Sequence, residues 1–156
     1  MTDTAERRAT YEDILRLPEG EVGEILGGQL HAHPRPAPRH AHVYSALGGS
    51  LWSPFHNGSG GPGGWWILDE PELHLGGDVL VPDLAGWRRE RLPALPETAW
   101  FELGPDWVCE ILSPATAQTD RGGKLPIYAR EGIPHLWLVD PDARTLESYR
   151  LVEDGH

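Results

Sequence analysis

A nearly continuous apolar run at residues 107–112 constrains the fold of this 156-residue chain more than any other segment. The run reads Trp-Val-Cys-Glu-Ile-Leu, which is typical of a strand at the centre of a sheet, buried on both faces. A predicted helix follows, which begins near residue 120 or 123 and ends at Glu131, and a second apolar run covers residues 135–140. A strand, a helix and a strand in one sheet give parallel strands and a right-handed crossover.

The remaining elements follow from hydrophobic periodicity and from turn residues such as the Gly27-Gly28 pair. They are helices at residues 10–17 and 39–52, and strands at residues 21–26, 29–33, 65–70, 79–87 and 145–152. We therefore predict an α/β (α+β) fold in which helices flank a mixed central sheet. No repeat or domain boundary divides the chain, so we expect residues 1–156 to form one domain.

The bulk composition limits the compartment and the partners of the protein. The net charge of −11 argues against broad non-specific binding of nucleic acid, although clustered acids can be neutralised by a divalent metal. A single cysteine, Cys109, cannot form an internal disulfide, which favours a cytoplasmic location. The sequence contains no apolar stretch long enough to predict a membrane span, and the N-terminus does not resemble a signal peptide. Seven arginines could still gather on one face: Arg35, Arg39, Arg88, Arg89, Arg91, Arg121 and Arg130.

Lys124 is the only lysine among the 13 basic residues of the chain. Such a bias suggests that a compact ammonium group is needed at this position. Two acids, Asp83 and Glu110, end or interrupt apolar runs, and the predicted crossover brings Lys124 close to Glu110. Two acids at strand ends and one lysine are typical of a metal-dependent phosphodiesterase.

Other interpretations of these residues remain open. Asp83 could simply start a turn, and Glu110 could form a structural ion pair with Lys124 or with an arginine. Ser113 lacks the surrounding motif of an acyl-transfer nucleophile. A zinc site is disfavoured because no cysteine cluster accompanies the histidines at 31, 33, 40 and 42.

Five stretches carry a resemblance to a known family, namely residues 24–30, 38–40, 81–85, 108–114 and 120–140. They resemble the Uma-two family of bacterial proteins, which have the restriction-endonuclease-like PD-(D/E)XK fold. The resemblance covers about residues 10–152. It implies that Pro82-Asp83 supplies the proline and first acid of the motif and that Glu110 is the second acid. Leu112 stands where the general pattern has lysine, so Lys124 from the following helix is implied as the catalytic lysine.

The resemblance also implies a function and a cofactor. Asp83, Glu110 and the accessory acid Glu24 would bind Mg²⁺ or Mn²⁺, and His40 is a possible accessory residue. The expected activity is that of an endonuclease that hydrolyses phosphodiester bonds of DNA, and a homodimer is compatible with this fold. Lys124→Ala is expected to lose cleavage and to keep the fold. Two alternatives stay open: a nuclease fold that binds without cleaving, and a dimeric interaction protein whose acids form structural pairs.

Overall fold

The computed structural model describes residues 7–34 and 36–152, so Arg35 lies outside the described part of the chain. The elements, in chain order, are α1 (Tyr11–Leu15), β1 (Glu21–Leu26), β2 (Gln29–Pro34), α2 (Pro38–Leu51), β3 (Trp65–Asp69), β4 (Leu73–Leu75), β5 (Asp78–Leu80), β6 (Leu84–Arg88), β7 (Trp107–Ile111), α3 (Leu125–Arg130), β8 (His135–Asp140) and β9 (Thr145–Arg150). None of these helices has the length and apolar character that crossing a membrane requires.

The five-stranded sheet has the order β3-β6-β7-β8-β9 and contains the predicted crossover. Strands β7 and β8 are parallel, with Trp107 opposite His135, and α3 lies between them in the chain. The other neighbouring strands of this sheet are antiparallel. The predicted mixed α+β fold is therefore confirmed.

A second sheet, with the order β2-β1-β5-β4, differs from the single sheet expected from the sequence. Residues 79–87, predicted as one strand, are divided between β5 and β6, which belong to different sheets. Pro82 explains the division, because proline has no N–H group to donate to a strand ladder. Strand β4 was not predicted, since three residues are too few to show an alternating pattern.

Two apolar clusters cover opposite faces of the five-stranded sheet. Side chains alternate along β7, so Val108 joins one cluster with Tyr128 of α3, whereas Cys109 and Ile111 join the other cluster, against α2. Cys109 is fully buried, as predicted, and burial raises the pKa of its thiol. Since Glu110 alternates with Cys109 and Ile111, its side chain lies on the α3 side of the sheet.

Candidate active site

The segment that carries Lys124 is a π-helical turn, Thr119–Lys124, that leads directly into α3. Pro126 lies in the first turn of α3, where its missing N–H interrupts the regular helical hydrogen bonds. Wide turns of this type occur frequently at functional sites. Lys124 ends this turn, and its side chain is only 2% exposed although it carries a charge.

The Lys124 ammonium group joins acids from both sheets. Its Nζ atom lies 2.6 Å from Oε2 of Glu24 on β1 and 2.6 Å from Oε2 of Glu110 on β7. Asp120, one helical turn earlier, lies 4.0 Å from the same nitrogen. Burial alone would lower the pKa of Lys124, but the charges of these three acids outweigh burial and raise it. The group therefore stays positively charged despite its depth.

Glu110 is held from the same helix by a second residue. The hydroxyl group of Tyr128 donates a hydrogen bond of 2.7 Å to Oε2 of Glu110, and both side chains are buried. Tyr128 lies four residues after Lys124, so the two project from one face of the helix. Burial raises the pKa of Glu110, although the Lys124 ammonium opposes this effect.

Glu24 has partners within the protein at both carboxylate oxygens. Oε2 accepts the backbone N–H of Val81 at 2.7 Å in addition to the Lys124 contact, and Nε2 of His33 lies 3.1 Å from Oε1. Burial would raise the pKa of Glu24, but Lys124 and His33 together lower it to about 2. Glu24 is thus an ionised, firmly oriented partner of the lysine.

Asp83 lies beside the end of β7 because β6 runs antiparallel to that strand, with Leu84 opposite Cys109. Its Oδ2 atom accepts the backbone N–H of Ile111 at 2.7 Å. The Asp83 side chain is 18% exposed, which makes it more accessible than Glu110 at 2%. This hydrogen bond ties the Asp83 side chain to the neighbouring strand β7. A residue that only starts a turn does not need such a bond.

His40 lies in the first turn of α2 and is 9% exposed. Its Nε2–H group donates to the carbonyl oxygen of Ile111 at 2.6 Å, and the same nitrogen lies 3.6 Å from Oδ2 of Asp83. The interaction with Asp83 raises the pKa of His40 against the opposing effect of burial. The other ring nitrogen, Nδ1, is buried and has no hydrogen-bond partner within residues 7–34 and 36–152.

One cavity of about 630 Å³ is lined by all five residues singled out in the sequence: Glu24, His40, Asp83, Glu110 and Lys124. The chain brings them together from β1, α2, the segment between β5 and β6 that contains Pro82, β7 and the π-helical turn. Their proximity is a feature of the structure, whereas their roles in a reaction stay predictions.

Three further residues of the site were not identified from the sequence. Asp120 and Tyr128 stand four residues before and after Lys124, a spacing that could have placed them on its helical face. Burial, opposed by Lys124, raises the pKa of Asp120 to about 6. His33, considered above only as a disfavoured zinc ligand, lies on the same face of the β1–β2 hairpin as Glu24, which the predicted two-residue turn implies.

The carboxylates of the cavity have the donor chemistry of a Mg²⁺ or Mn²⁺ site. Within the described part of the chain, no group of three or more His, Cys, Asp or Glu side chains is arranged to hold a metal by itself. Mg²⁺ commonly binds through only one or two carboxylates, together with water and substrate phosphate. Asp83 and Glu110 both line the cavity, whereas both oxygens of Glu24 are already engaged.

Comparison with known proteins agrees with this fold. A family model described as "Uma2: Putative restriction endonuclease" matches residues 10–156. The chain is also similar to a solved structure described as a "putative nuclease belonging to DUF820" from Anabaena variabilis ATCC 29413, with 26% identity and a TM-score of 0.77. That similarity covers 94% of this chain and 82% of the other. No curated protein matches the chain.

Proposed function

The chain belongs to the Uma2 family, and from that membership we propose that it is a divalent-metal-dependent endonuclease that hydrolyses phosphodiester bonds of DNA. The observation that most supports the proposal is the convergence of Asp83, Glu110 and Lys124, from three separate segments, on one cavity. An acid directly before β6, an acid on the neighbouring β7 and a lysine from the helical segment that follows β7 are groups that such a reaction can use near one phosphate.

Asp83 and Glu110 would hold the metal ion, which supplies an activated water and polarises the phosphate when it is bound. Asp83 is oriented by the N–H of Ile111, and Glu110 by the hydroxyl of Tyr128. Because both carboxylates are fixed before a ligand arrives, little conformational freedom is lost on binding. The raised pKa of Glu110 means that metal binding is expected to strengthen as the pH rises.

Lys124 would stabilise the charge that develops on the phosphate during cleavage. Its ammonium is a compact charge whose donors can rotate toward an oxygen, which a planar guanidinium does less well. Glu24, at 2.6 Å, and Asp120, at 4.0 Å, help to hold it where it lines the cavity. We assign Glu24 to positioning this ammonium group, and Asp83 and Glu110 to the metal.

A nuclease fold that binds nucleic acid without cleaving it is the second candidate. The observation in its favour is that Lys124 already has two carboxylate partners at 2.6 Å, as a purely structural buried pair would. The two candidates differ in whether the protein, supplied with a divalent metal ion, cleaves DNA or only binds it.

The deciding experiment is incubation of the purified protein with supercoiled plasmid and with single-stranded DNA, with Mn²⁺ and with a chelator. Endonuclease activity predicts nicked or linear plasmid, or shortened single strands, only in the presence of Mn²⁺. Lys124→Arg is the control, because it keeps a positive charge at the site and should slow cleavage by about 10²–10³-fold. Intact DNA with the parent protein across Mg²⁺ and Mn²⁺ concentrations, together with measurable DNA binding, would support the non-cleaving alternative.

A further inference from the structure

Two arginines of the chain lie on tryptophan rings rather than on acids. Of the seven arginines that could gather on one face, four form close ion pairs: Arg39, Arg91, Arg121 and Arg130. Arg88, the last residue of β6, lies instead over the ring of Trp65, 5.1 Å from its centre. Its neighbour Arg89 lies over the ring of Trp66 at 4.4 Å. Such cation–π contacts hold a guanidinium group in place without neutralising its charge.

Arg88 presents its charge to solvent. Its side chain is 50% exposed, and its contact with an acid is a long one, 3.9 Å to Glu90, which is itself 75% exposed. An exposed ion pair of this kind contributes little free energy and is easily exchanged for another anion. Arg88 is therefore available to a phosphate group, in a chain whose net charge is −11.

An aromatic stack lies in the turn that follows α2, the π-helical turn Trp52–Asn57. The rings of Trp52 and His56 are stacked, with their centres 3.6 Å apart and their planes at 13°. Nδ1 of His56 accepts the backbone N–H of Ile67 at 3.1 Å, which fixes the ring against the edge strand β3. His56 covers one face of Trp52, yet Trp52 is 42% exposed. The other face of the indole is therefore open to a planar partner.

Arg89 and Trp66 connect this stack to the arginines. The guanidinium group of Arg89 donates a hydrogen bond of 2.8 Å to the carbonyl oxygen of His56. The His56 ring also meets the ring of Trp66, over which Arg89 lies, at 5.7 Å and nearly edge to face. We call the four residues Trp52, His56, Arg88 and Arg89 the Trp52 surface. It combines an open aromatic face with two positive charges that are held in place.

The Trp52 surface lies away from the cavity that contains Lys124. Asp83 directly precedes β6 and Arg88 ends it, so the length of the strand, about 17 Å, separates them. Among the described residues that line the cavity, none belongs to the Trp52 surface. A nucleic-acid strand with about 3.4 Å per nucleotide covers this distance in roughly five nucleotides.

We propose that the Trp52 surface binds a single-stranded segment of nucleic acid, with a base stacked on Trp52 and phosphates beside Arg88 and Arg89. Open aromatic rings next to fixed positive charges are what sequence-independent binding of single strands uses. Paired bases in a duplex stack on each other and present no free face to Trp52. The inference rests on the proposed nuclease function for the step of cleavage, and it deepens that function by naming the single strand as the substrate class.

Binding of a fluorescent oligothymidylate to the metal-free protein, measured by anisotropy, tests the surface without any cleavage. Trp52→Ala should weaken binding by roughly tenfold or more, whereas Trp52→Phe keeps a ring and should bind nearly as the parent. An abasic oligomer has the phosphates but no bases, so Trp52→Ala should not affect its binding. Arg88→Ala should lower the slope of log affinity against log salt by about 0.7, the value for one lost phosphate contact on a single strand.

The matched controls are Tyr149→Ala and Arg150→Ala, on the strand at the opposite edge of the same sheet. Tyr149 is 41% exposed, close to the value for Trp52, and Arg150 is also exposed. Both variants should bind oligothymidylate as the parent does. Thermal unfolding of every variant shows whether the fold is kept, and Arg88→Ala, at a half-exposed residue, decides the test if Trp52→Ala is unfolded.

The possible results separate this surface from the nuclease activity. Weakened binding by Trp52→Ala and Arg88→Ala alone, in a protein that never cleaves DNA with Mn²⁺, would support the surface and remove the nuclease assignment. A parent that cleaves DNA, with variants that bind oligothymidylate as tightly as the parent, would overturn the surface and leave the nuclease intact. Equal affinity for duplex and single strand, or no measurable binding by the parent, would also overturn the surface.

Discussion

The Nζ atom of Lys124 lies 2.6 Å from Oε2 of Glu110, and each of these side chains is only 2% exposed. Removing one partner of a buried ion pair leaves the other charge uncompensated, which typically costs about 3–5 kcal/mol of stability. The sequence alone predicts that Lys124→Ala keeps the fold. Because both side chains are buried, we expect instead that Lys124→Ala destabilises the fold. A chemical role for Lys124 has to be tested with a variant that keeps the charge.

For Lys124 we expect two substitutions to behave differently. Lys124→Ala should lose about 3–5 kcal/mol of unfolding free energy. Lys124→Arg should lose less, because it keeps the charge, while its cleavage rate falls by about 10²–10³-fold through misplaced donors. Urea unfolding and a plasmid-nicking assay measure the two effects. An arginine variant that cleaves at the parent rate would show that only charge, and not the ammonium geometry, matters.

Asp83→Asn should remove the response to metal and leave the fold in place. The new amide oxygen can still accept the N–H of Ile111, so the loss of stability without metal should stay near 1 kcal/mol. The parent should gain about 2.7 kcal/mol at a Mn²⁺ concentration 100 times its dissociation constant. Thermal unfolding with and without Mn²⁺ measures this gain. The same Mn²⁺-dependent shift in parent and variant would exclude Asp83 as a metal ligand.

Tyr128→Phe removes one hydrogen bond and little volume. The phenol donates to Oε2 of Glu110 in a buried place, so we expect a loss of about 1.5–3 kcal/mol in stability. If the hydroxyl also orients the carboxylate for metal, the Mn²⁺ concentration needed for half-maximal activity should rise by about 10–100-fold. A metal titration of activity measures the second effect. Unchanged metal dependence would confine Tyr128 to a structural role.

The sequence predicted the part of the site that depends on local pattern. The apolar run around Glu110 and the helix that follows it predicted that Lys124 would lie near this acid, and the structure has the two in contact. The structure also has Asp83 beside the end of β7, but by a route that the sequence did not indicate. The chain passes between two sheets at Pro82, and strand alternation through residue 83 does not apply there.

The contact between His33 and Glu24 was missed although it lies within the predicted β1–β2 hairpin. The two-residue Gly27-Gly28 turn sets the register, with Leu26 opposite Gln29, and so places both side chains on one face. Asp120 was not identified from the sequence for a different reason. Its place in a π-helical turn was not expected, and its burial depends on how that turn packs against the sheets.

Asp120 gives a pH dependence whose sign can be worked out. Burial raises its pKa to about 6 from an ordinary value of 3.8, with Lys124 opposing the shift. The folded protein therefore holds this proton more tightly than the unfolded chain, so the resulting stability is fully present below pH 3.8 and is lost as the pH rises through 6. A shift of about two units corresponds to ~3 kcal/mol.

Asp120→Asn should not show this loss, because its amide does not titrate. We expect the unfolding free energy of the variant, minus that of the parent, to increase steadily between about pH 4 and pH 6 and to stay level above pH 7. Urea unfolding of both proteins at half-unit pH intervals, without metal, measures the difference. Asp13→Asn is the control, because the pKa of this partly buried acid is lowered to about 2, chiefly by Arg7, and its effect should change below pH 4. Parallel pH profiles for the parent and Asp120→Asn would mean that Asp120 is already ionised at pH 4, held in that state by Lys124 more strongly than burial opposes it.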